Sequence, residues 1–371
     1  MVALGVAVAA CVVAGGPDRP TGDTAPPSTS GPSRTTTPPA PARVANVACG
    51  LGSFGAGRWP SACWRPYGDA SPFNRRLPAD PPVLPDSRAM VEQMLDSGPV
   101  AGLVVASDTR SDWYHPVTFP APDDPLYTVH CLEDWGTCEV EGMQVRLPRA
   151  ARPAAGGDGH LAVVDQATGW EYDFWQVRPR SPGGGTLSVS WGGRTEITGD
   201  GLGSDATAAH FGLLAGVIRA AELKAGRIDH ALFMTVGCTA HSYVYPAAGY
   251  ALDCEDGAPA PAVGQLFRLA MTADEIAALD LPAWQETILR ALARYGAYVG
   301  DTGGNEAFGF QLESGTTYTA FGVDDPFVAF AQAQDAGVTA RGERYEFEVG
   351  AGVDWRNRLE ALHPCVAQMT C

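Results

Sequence analysis

A segment with two alternating runs around a short turn constrains the fold of this chain most strongly. Residues 160–165 and 170–175 alternate on either side of the turn-forming residues 166–169, which predicts a β-hairpin with Asp165 opposite Trp170. Directly paired residues of a hairpin share a face of the sheet. One face therefore carries Leu161, Val163, Tyr172 and Phe174, which belong on a hydrophobic core. The other face carries His160, Glu171, Asp173 and Trp175, so that two carboxylates and an imidazole are expected to line a tryptophan platform.

The composition is that of a folded, acidic protein. Of its 371 residues, 45% are hydrophobic, which is enough to bury a sizeable core. The formal charge of −17 argues against nucleic acid or an anionic membrane surface as the main partner. Local positive charge occurs next to the hairpin at five arginines, namely Arg146, Arg149, Arg152, Arg178 and Arg180.

The first residues indicate export. Residues 1–16 are small and apolar without a basic start, which is typical of a signal-peptide remnant. Within them, Val8-Ala-Ala-Cys11 resembles the lipobox of bacterial lipoproteins, so Cys11 is a candidate for lipidation, the alternative being an incidental cysteine in a simple signal peptide. Residues 17–44 consist mainly of Pro, Thr, Ser, Gly and Ala, which predicts a disordered tether. Membrane contact is expected only through the lipid anchor.

Eight further cysteines fall into four pairs that are adjacent in sequence. The pairs are Cys49 with Cys63, Cys131 with Cys138, Cys238 with Cys254, and Cys365 with Cys371. Eight cysteines allow 105 pairings, and local closure is the simplest of them. No pair has the C-x-x-C spacing of a zinc ribbon, so we expect four disulfides and an oxidising, extracytoplasmic compartment.

The remaining pattern predicts one mainly β domain over residues 49–371, a β-sandwich or jelly roll with a few short helices at its periphery. Strand-like runs recur at short spacing and no strand–helix–strand alternation is evident. Helices are predicted after Asp86, ending at Gly98, and over residues 219–226 and 284–295, with a further short helix after the capping-box pattern Thr272-Ala-Asp-Glu275. A monomer is expected.

An ordered series of short motifs resembles a large group of exported actinobacterial proteins. The series covers about residues 70–310 and comprises 160–175, Ser204-Asp205-Ala, 214–218, Glu222-Leu, 225–232, 243–246 and 291–301. The resemblance implies a carbohydrate-active β-sandwich, and no activity is settled for the group. Its members are similar at His160, at an acidic residue matching Asp173, and at Asp205, His230 and Asp301. They carry an apolar residue in place of Glu171, which favours Asp173 as the essential carboxylate.

Glycan cleavage is the first functional hypothesis. A Glu-x-Asp pair on one strand face beside tryptophan is similar to the catalytic strand of β-sandwich glycoside hydrolases, in which two carboxylates share acid, base or nucleophile roles. Asp173 is the first catalytic candidate, with His160 as its proton-transfer or orienting partner. The further catalytic candidates are Glu171, Asp205, His230 and Asp301. Trp175, Trp170 and Arg178 are candidates for binding a polysaccharide or oligosaccharide substrate.

Several alternatives stay open. A polysaccharide lyase would use His160 or His230 with a tyrosine to abstract a proton beside a uronate carboxylate that an arginine neutralises. A non-catalytic glycan-binding lipoprotein would carry the same aromatic and acidic residues. Glu171 and Asp173 could also be only the solvated face of a hairpin, His230 a hydrogen-bonded core residue, and Asp301 a turn residue. His160, His230 and Asp173 have suitable ligand types for a metal but no recognised spacing, so neither a metal nor a cofactor is predicted.

Overall fold

Short strands separated by turns make up most of the regular structure. A computed structural model describes residues 45–47, 58–255, 257–304, 306–342 and 344–371. The strands are β1 Ala45–Val47, β2 Arg58–Pro60, β3 Leu103–Val105, β4 Val117–Thr118, β5 Leu126–Cys131, β6 Gln144–Arg146, β7 Leu161–Asp165, β8 Trp170–Trp175, β9 Gly185–Val189, β10 Trp191–Glu196, β11 Leu232–Val236, β12 Leu266–Leu269, β13 Ala297–Thr302, β14 Phe308–Phe310, β15 Val338–Arg341, β16 Arg344–Phe347 and β17 Leu359–Ala361.

The helices are short, and the two longest begin and end close to the residues predicted from the sequence. They are α1 Ser87–Ser97, α2 Ala220–Ala225, α3 Ala273–Ala277, α4 Ala283–Arg294, α5 Thr316–Thr319, α6 Pro326–Gln332, α7 Trp355–Arg358 and α8 Cys365–Gln368, with a 3-10 turn at Pro72–Asn74. The helix α2 ends at Gly226, which adopts the left-handed conformation at φ 66°. Thr272 and Glu275 form the capping box at the start of α3.

Four sheets and one parallel strand pair, β1 with β2, are formed by these strands. The sheets have the strand orders β10-β8-β7-β4, β14-β11-β13-β12-β17, β15-β16-β3 and β6-β5-β9. Strands β11 and β13 are parallel neighbours in the five-stranded sheet, and α3 and α4 lie between them in sequence. This parallel pair does not follow from a strand–helix–strand alternation, since its connection is long and also contains β12.

The sheets stack in layers, which confirms a mainly β, sandwich-like fold. Ala162 and Val164 of the four-stranded sheet share a core with Phe233 and Tyr298 of the five-stranded sheet. The opposite face of the five-stranded sheet packs against α1 and α4. The opposite face of the four-stranded sheet, which includes Phe174, packs against the sheet formed by β6, β5 and β9. The described residues from Arg58 onward belong to one compact unit.

The hairpin has the predicted register but not the predicted surface. Asp165 pairs with Trp170, and Ala162 pairs with Asp173. The apolar face enters a core as expected. The other face is also covered, however, because a second layer lies over it, and Glu171 and Asp173 are 1% and 0% exposed. The expectation that these two carboxylates lie on an open face is therefore wrong.

Three of the predicted disulfides are present. They join Cys131 to Cys138, Cys238 to Cys254, and Cys365 to Cys371, which is consistent with an oxidising compartment. The pairing predicted for Cys49 with Cys63 involves Cys49, which lies outside the described residues, as do Cys11, residues 1–16 and the tether at 17–44. In the part of the chain that is described, no helix has the length and apolar character needed to cross a bilayer.

Candidate active site

Two cavities meet at the open end of the hairpin. The first, the tryptophan lobe, has a volume of about 650 Å³ and is lined by Trp135, Thr137, Asp158, His160, Trp175, Trp191, Asp205, Ala206, Thr207, Ala208, His210, Tyr250 and Asp301. The second, the glycine lobe, has about 620 Å³. Its lining includes Gly102, Trp113, His115, Gly303, Gly304, Glu306, Gly309 and Arg344. Asp158, His160 and Asp301 line both lobes, and we call the place where these three residues lie the junction.

Local structure explains why these three residues meet. His160 directly precedes β7, and Asp158 lies two residues earlier, on the loop that leads into the hairpin. Asp301 lies near the carboxyl end of β13, in the neighbouring layer. The two layers share a core below this point, so the end of each layer contributes acidic groups to one junction.

Asp301 has the most perturbed carboxyl group of the junction. Its pKa is raised to about 7, chiefly by burial and to a smaller extent by the negative charge of Asp158, while a hydrogen bond from the Thr302 backbone N–H opposes the shift. That N–H donates to Asp301 Oδ1 at 2.7 Å. Half of the Asp301 carboxyls are therefore protonated near neutral pH, and such a group can donate a proton to a substrate.

Asp158 is held by the aromatic wall. Its Oδ1 accepts a hydrogen bond of 3.3 Å from Trp175 Nε1. One indole thus both lines the tryptophan lobe and orients a carboxylate at the junction. The negative charge of Asp158 is one of the causes that raise the pKa of Asp301.

His160 is the buried base of the junction. Burial lowers its pKa, and the charge of Asp158 partly offsets that effect. Its ring contacts the ring of His115 edge to face, at 4.8 Å between centroids. His160 is 6% exposed, and its Nδ1 has no hydrogen-bond partner among the described residues. An imidazole that is neutral at pH 7 and has a free nitrogen is suited to orienting or accepting a proton.

A second acidic group comes from the loop that precedes Phe211. Asp205 Oδ1 lies 2.8 Å from His210 Nδ1. His210 adopts a left-handed backbone conformation at φ 60°, which is strained for a residue with a side chain and is typical of functional sites. The loop therefore presents an Asp–His pair to the tryptophan lobe.

Three indole rings form the wall of the tryptophan lobe. Trp135 lies with its ring centroid 5.6 Å from both Trp175 and Trp191. Trp135 is 63% exposed, so this wall reaches the protein surface. Flat apolar rings with hydrogen-bonding groups beside them are suited to the faces and hydroxyls of sugars.

Glu171 and Asp173 lie outside both lobes. Glu171 accepts hydrogen bonds from the Tyr67 hydroxyl at 2.8 Å and from the Leu214 backbone N–H at 3.0 Å. Burial and the nearby Glu171 raise the pKa of Asp173 well above its ordinary value. The pair is thus a buried polar cluster beneath the site, and the catalytic role predicted for it lacks the access to substrate on which it was based.

The other predicted residues are dispersed. His230 is buried with its Nε2 3.1 Å from Glu222 Oε1 and lines a separate cavity of about 320 Å³, which agrees with the hydrogen-bonded alternative. Trp170 packs under the Arg194 guanidinium, 4.1 Å from its ring centroid, and Arg178 is exposed and bonds to Ser190 Oγ at 3.2 Å. None of the three lines either lobe.

The structure brings together four of the predicted residues, His160, Trp175, Asp205 and Asp301, and adds residues that the sequence analysis missed. The additions are Asp158, His210, Trp135, Trp191 and Tyr250. Asp158 and His210 lie in the segments 158–175 and 199–210, and the glycines within and next to these segments indicate that the backbone can approach other groups closely there. Among the described residues, no three His, Cys, Asp or Glu side chains are grouped so that they could hold a metal ion.

Comparison with known proteins adds no family. No protein-family model, curated protein or solved structure matches this chain.

Proposed function

We propose that this protein is an exported glycoside hydrolase whose reacting groups are Asp301 and Asp158. The observation that carries the proposal is the carboxyl pair at the junction of two open lobes, in which the pKa of one member is raised to about 7. Glycosidic bonds are cleaved by two carboxyl groups of which one is protonated and the other charged. Asp301 protonates the leaving oxygen, and Asp158 activates water or attacks the anomeric carbon.

The surroundings support this assignment. The indoles of Trp135, Trp175 and Trp191 offer stacking surfaces directly beside the two acids. The strongly acidic chain does not favour a polyanionic substrate as a whole. A neutral or weakly charged polysaccharide therefore fits the site best.

A lyase is the second candidate, and the glycine lobe provides the observation that favours it. The lobe is lined by Arg344, whose guanidinium donates to Ser111 Oγ at 3.0 Å. His160 lines the same lobe. A neutral His160 has the protonation state of a base, and Arg344 has the charge to neutralise a uronate carboxylate.

One assay separates these functions. The purified protein is incubated with a panel of bacterial, fungal and plant polysaccharides while new reducing ends and the ultraviolet absorbance of unsaturated products are followed. Reducing ends without that absorbance support the hydrolase, and unsaturated products support the lyase. Binding without products, measured by affinity electrophoresis, would replace both with a glycan-binding protein.

The location of the protein completes the proposal. The tetrapeptide 8–11 and the Pro- and Thr-rich segment 17–44 support a lipid anchor at Cys11 followed by a tether. Mass spectrometry of the membrane fraction should find a diacylglyceryl group on Cys11, and Cys11→Ser should release the protein. A wild-type protein that is processed without lipid would contradict the anchor.

A further inference from the structure

The size of the two lobes bears on the length of substrate that the site can bind. Each lobe lies within the roughly 300–1,000 Å³ that encloses a drug-sized ligand. Together they exceed what a single terminal sugar would fill. Asp158, His160 and Asp301 line both, so the reacting groups lie between the lobes and not at the blind end of one.

Both lobes reach solvent past an exposed indole. Trp135 is 63% exposed at the tryptophan lobe and Trp113 is 52% exposed at the glycine lobe. A large apolar side chain that stays half exposed beside a cavity is typical of a binding surface. Cβ atoms placed on Gly156 and Gly157 would lie 3.3 Å from the Trp113 ring, so the absence of side chains there lets this ring approach the backbone that leads to Asp158.

The glycine lobe is shaped to admit a ligand backbone. A Cβ atom on Gly303 would meet nothing within 4 Å, so this wall is open beside Asp301. Arg344 and Glu306 add a hydrogen-bond donor and an acceptor within the same lobe. These are the groups that bind sugar hydroxyls on either side of an aromatic platform.

We propose that one continuous glycan chain occupies both lobes and is cut at an internal bond above Asp158 and Asp301. The substrate is thus a polymer, and the Trp113 and Trp135 platforms bind sugar units on opposite sides of the cleaved bond. This inference rests on the proposed hydrolase function. In the reaction, the bond from the anomeric carbon to the bridging oxygen breaks. The hydroxyl of water joins the anomeric carbon, and a proton leaves with the bridging oxygen.

Binding as a function of chain length tests the proposal. Asp301→Asn protein is titrated with linear cello-, xylo-, manno- and chito-oligosaccharides, from disaccharides to octasaccharides. In the series that binds, affinity should rise with length until both lobes are filled. Trp113→Ala should lower the affinity for long oligosaccharides about tenfold while that for disaccharides changes little. Met369→Ala, which changes another exposed apolar residue that lines neither lobe, is the control and should change neither.

Product analysis with the wild-type protein separates this inference from the proposed function. Early products of mixed length from a polymer support internal cleavage. Release of a single short product from chain ends would overturn internal cleavage and leave the hydrolase standing. Length-dependent binding without any cleavage would overturn the hydrolase and leave two-lobe binding standing. An affinity that does not depend on length, or no effect of Trp113→Ala, would overturn the occupancy of both lobes.

Discussion

Asp301 allows the proposed chemistry to be tested with a single substitution. Its carboxyl must be protonated to act as the general acid, so activity should fall as the pH rises through the pKa of about 7. Asp301→Asn keeps the size of the side chain but removes the acid, and should lower kcat by at least about a hundredfold. The pH profile of kcat/KM in the wild-type protein checks the basic limb. Unchanged turnover in a folded Asp301→Asn variant would refute this role.

The same substitution should also change stability, with a defined dependence on pH. The pKa of Asp301 is raised in the folded state, so the folded protein binds more protons than the unfolded chain between about pH 4 and pH 7. Stability is therefore lost as the pH rises through this window, and the loss is complete above it. Asp301→Asn removes the cost, which partial solvent exposure reduces to about 1–2 kcal/mol. Urea unfolding at pH 5 and pH 8 should show the variant gaining clearly more stability relative to wild type at the higher pH. An equal difference at both values would contradict the linkage.

Asp173 and Glu171 should both behave as structural residues, but replacement by the matching amide should be tolerated at Asp173 and destabilising at Glu171. Burial and the nearby Glu171 raise the pKa of Asp173 well above its ordinary value, which favours the neutral carboxyl over the carboxylate. Asp173→Asn should therefore leave the unfolding free energy within about 1 kcal/mol and turnover within tenfold. Glu171 accepts from Tyr67 and Leu214, so Glu171→Gln loses an acceptor and should cost about 1–3 kcal/mol. A hundredfold loss of turnover in a stable Asp173→Asn variant would restore the role predicted from the sequence.

The behaviour of this pair indicates what the residue pattern could and could not predict. Alternation identified the two faces of the hairpin, and the register followed from the turn. Alternation alone does not tell whether the second face meets water or another layer. The cross-strand partners of Glu171 and Asp173 are Val164 and Ala162, and two apolar partners were a signal of burial. The gathering of Asp158, His210 and Trp135 depends on the packing of distant loops, which local periodicity does not contain.

Secondary elements with strong end signals were predictable. The helices α1 and α4 follow the predicted apolar stripes, and Gly98 and Gly226 lie at predicted ends. The parallel pairing of β11 with β13 was not predicted, because the sequence between them separates the strands widely. This pairing matters for function, since it places the end of β13, and hence Asp301, at the junction of the lobes.

The position of β13 depends on a residue without a side chain. Gly300 precedes Asp301, and a Cβ atom there would collide with the ring of Phe233. That ring is 1% exposed and contacts Phe211 and His115 edge to face, so it has little room to move. Gly300→Ala should therefore cost about 1–3 kcal/mol of unfolding free energy and lower kcat by displacing Asp301. Gly303→Ala, where a Cβ atom meets nothing, is the control for stability and should stay within about 0.5 kcal/mol. Equal stability of both variants would show that β13 can shift freely.

At the scale of the whole molecule, disulfides lie in loops that shape the site. Of the three disulfides between described cysteines, two close loops that line the tryptophan lobe. Cys131–Cys138 encloses Trp135 and Thr137, and Cys238–Cys254 encloses Tyr250. The third, Cys365–Cys371, lies at the C-terminus, away from both lobes. The first two disulfides therefore restrain the loops that carry part of the aromatic wall.

Two double variants test whether Cys131–Cys138 shapes the aromatic wall while Cys365–Cys371 contributes only to stability. The loops closed by Cys131–Cys138 and Cys365–Cys371 have similar sequence separations of 7 and 6, so loop-closure entropy predicts a similar loss of about 2–3 kcal/mol for either pair. Cys131→Ser with Cys138→Ser should in addition free Trp135, raise KM several-fold at nearly unchanged kcat, and expose residues 131–138 to limited proteolysis. Cys365→Ser with Cys371→Ser should leave KM unchanged. If both double variants raised KM equally, the effect would come from general destabilisation, and the proposed tie between the first disulfide and the aromatic wall would be wrong.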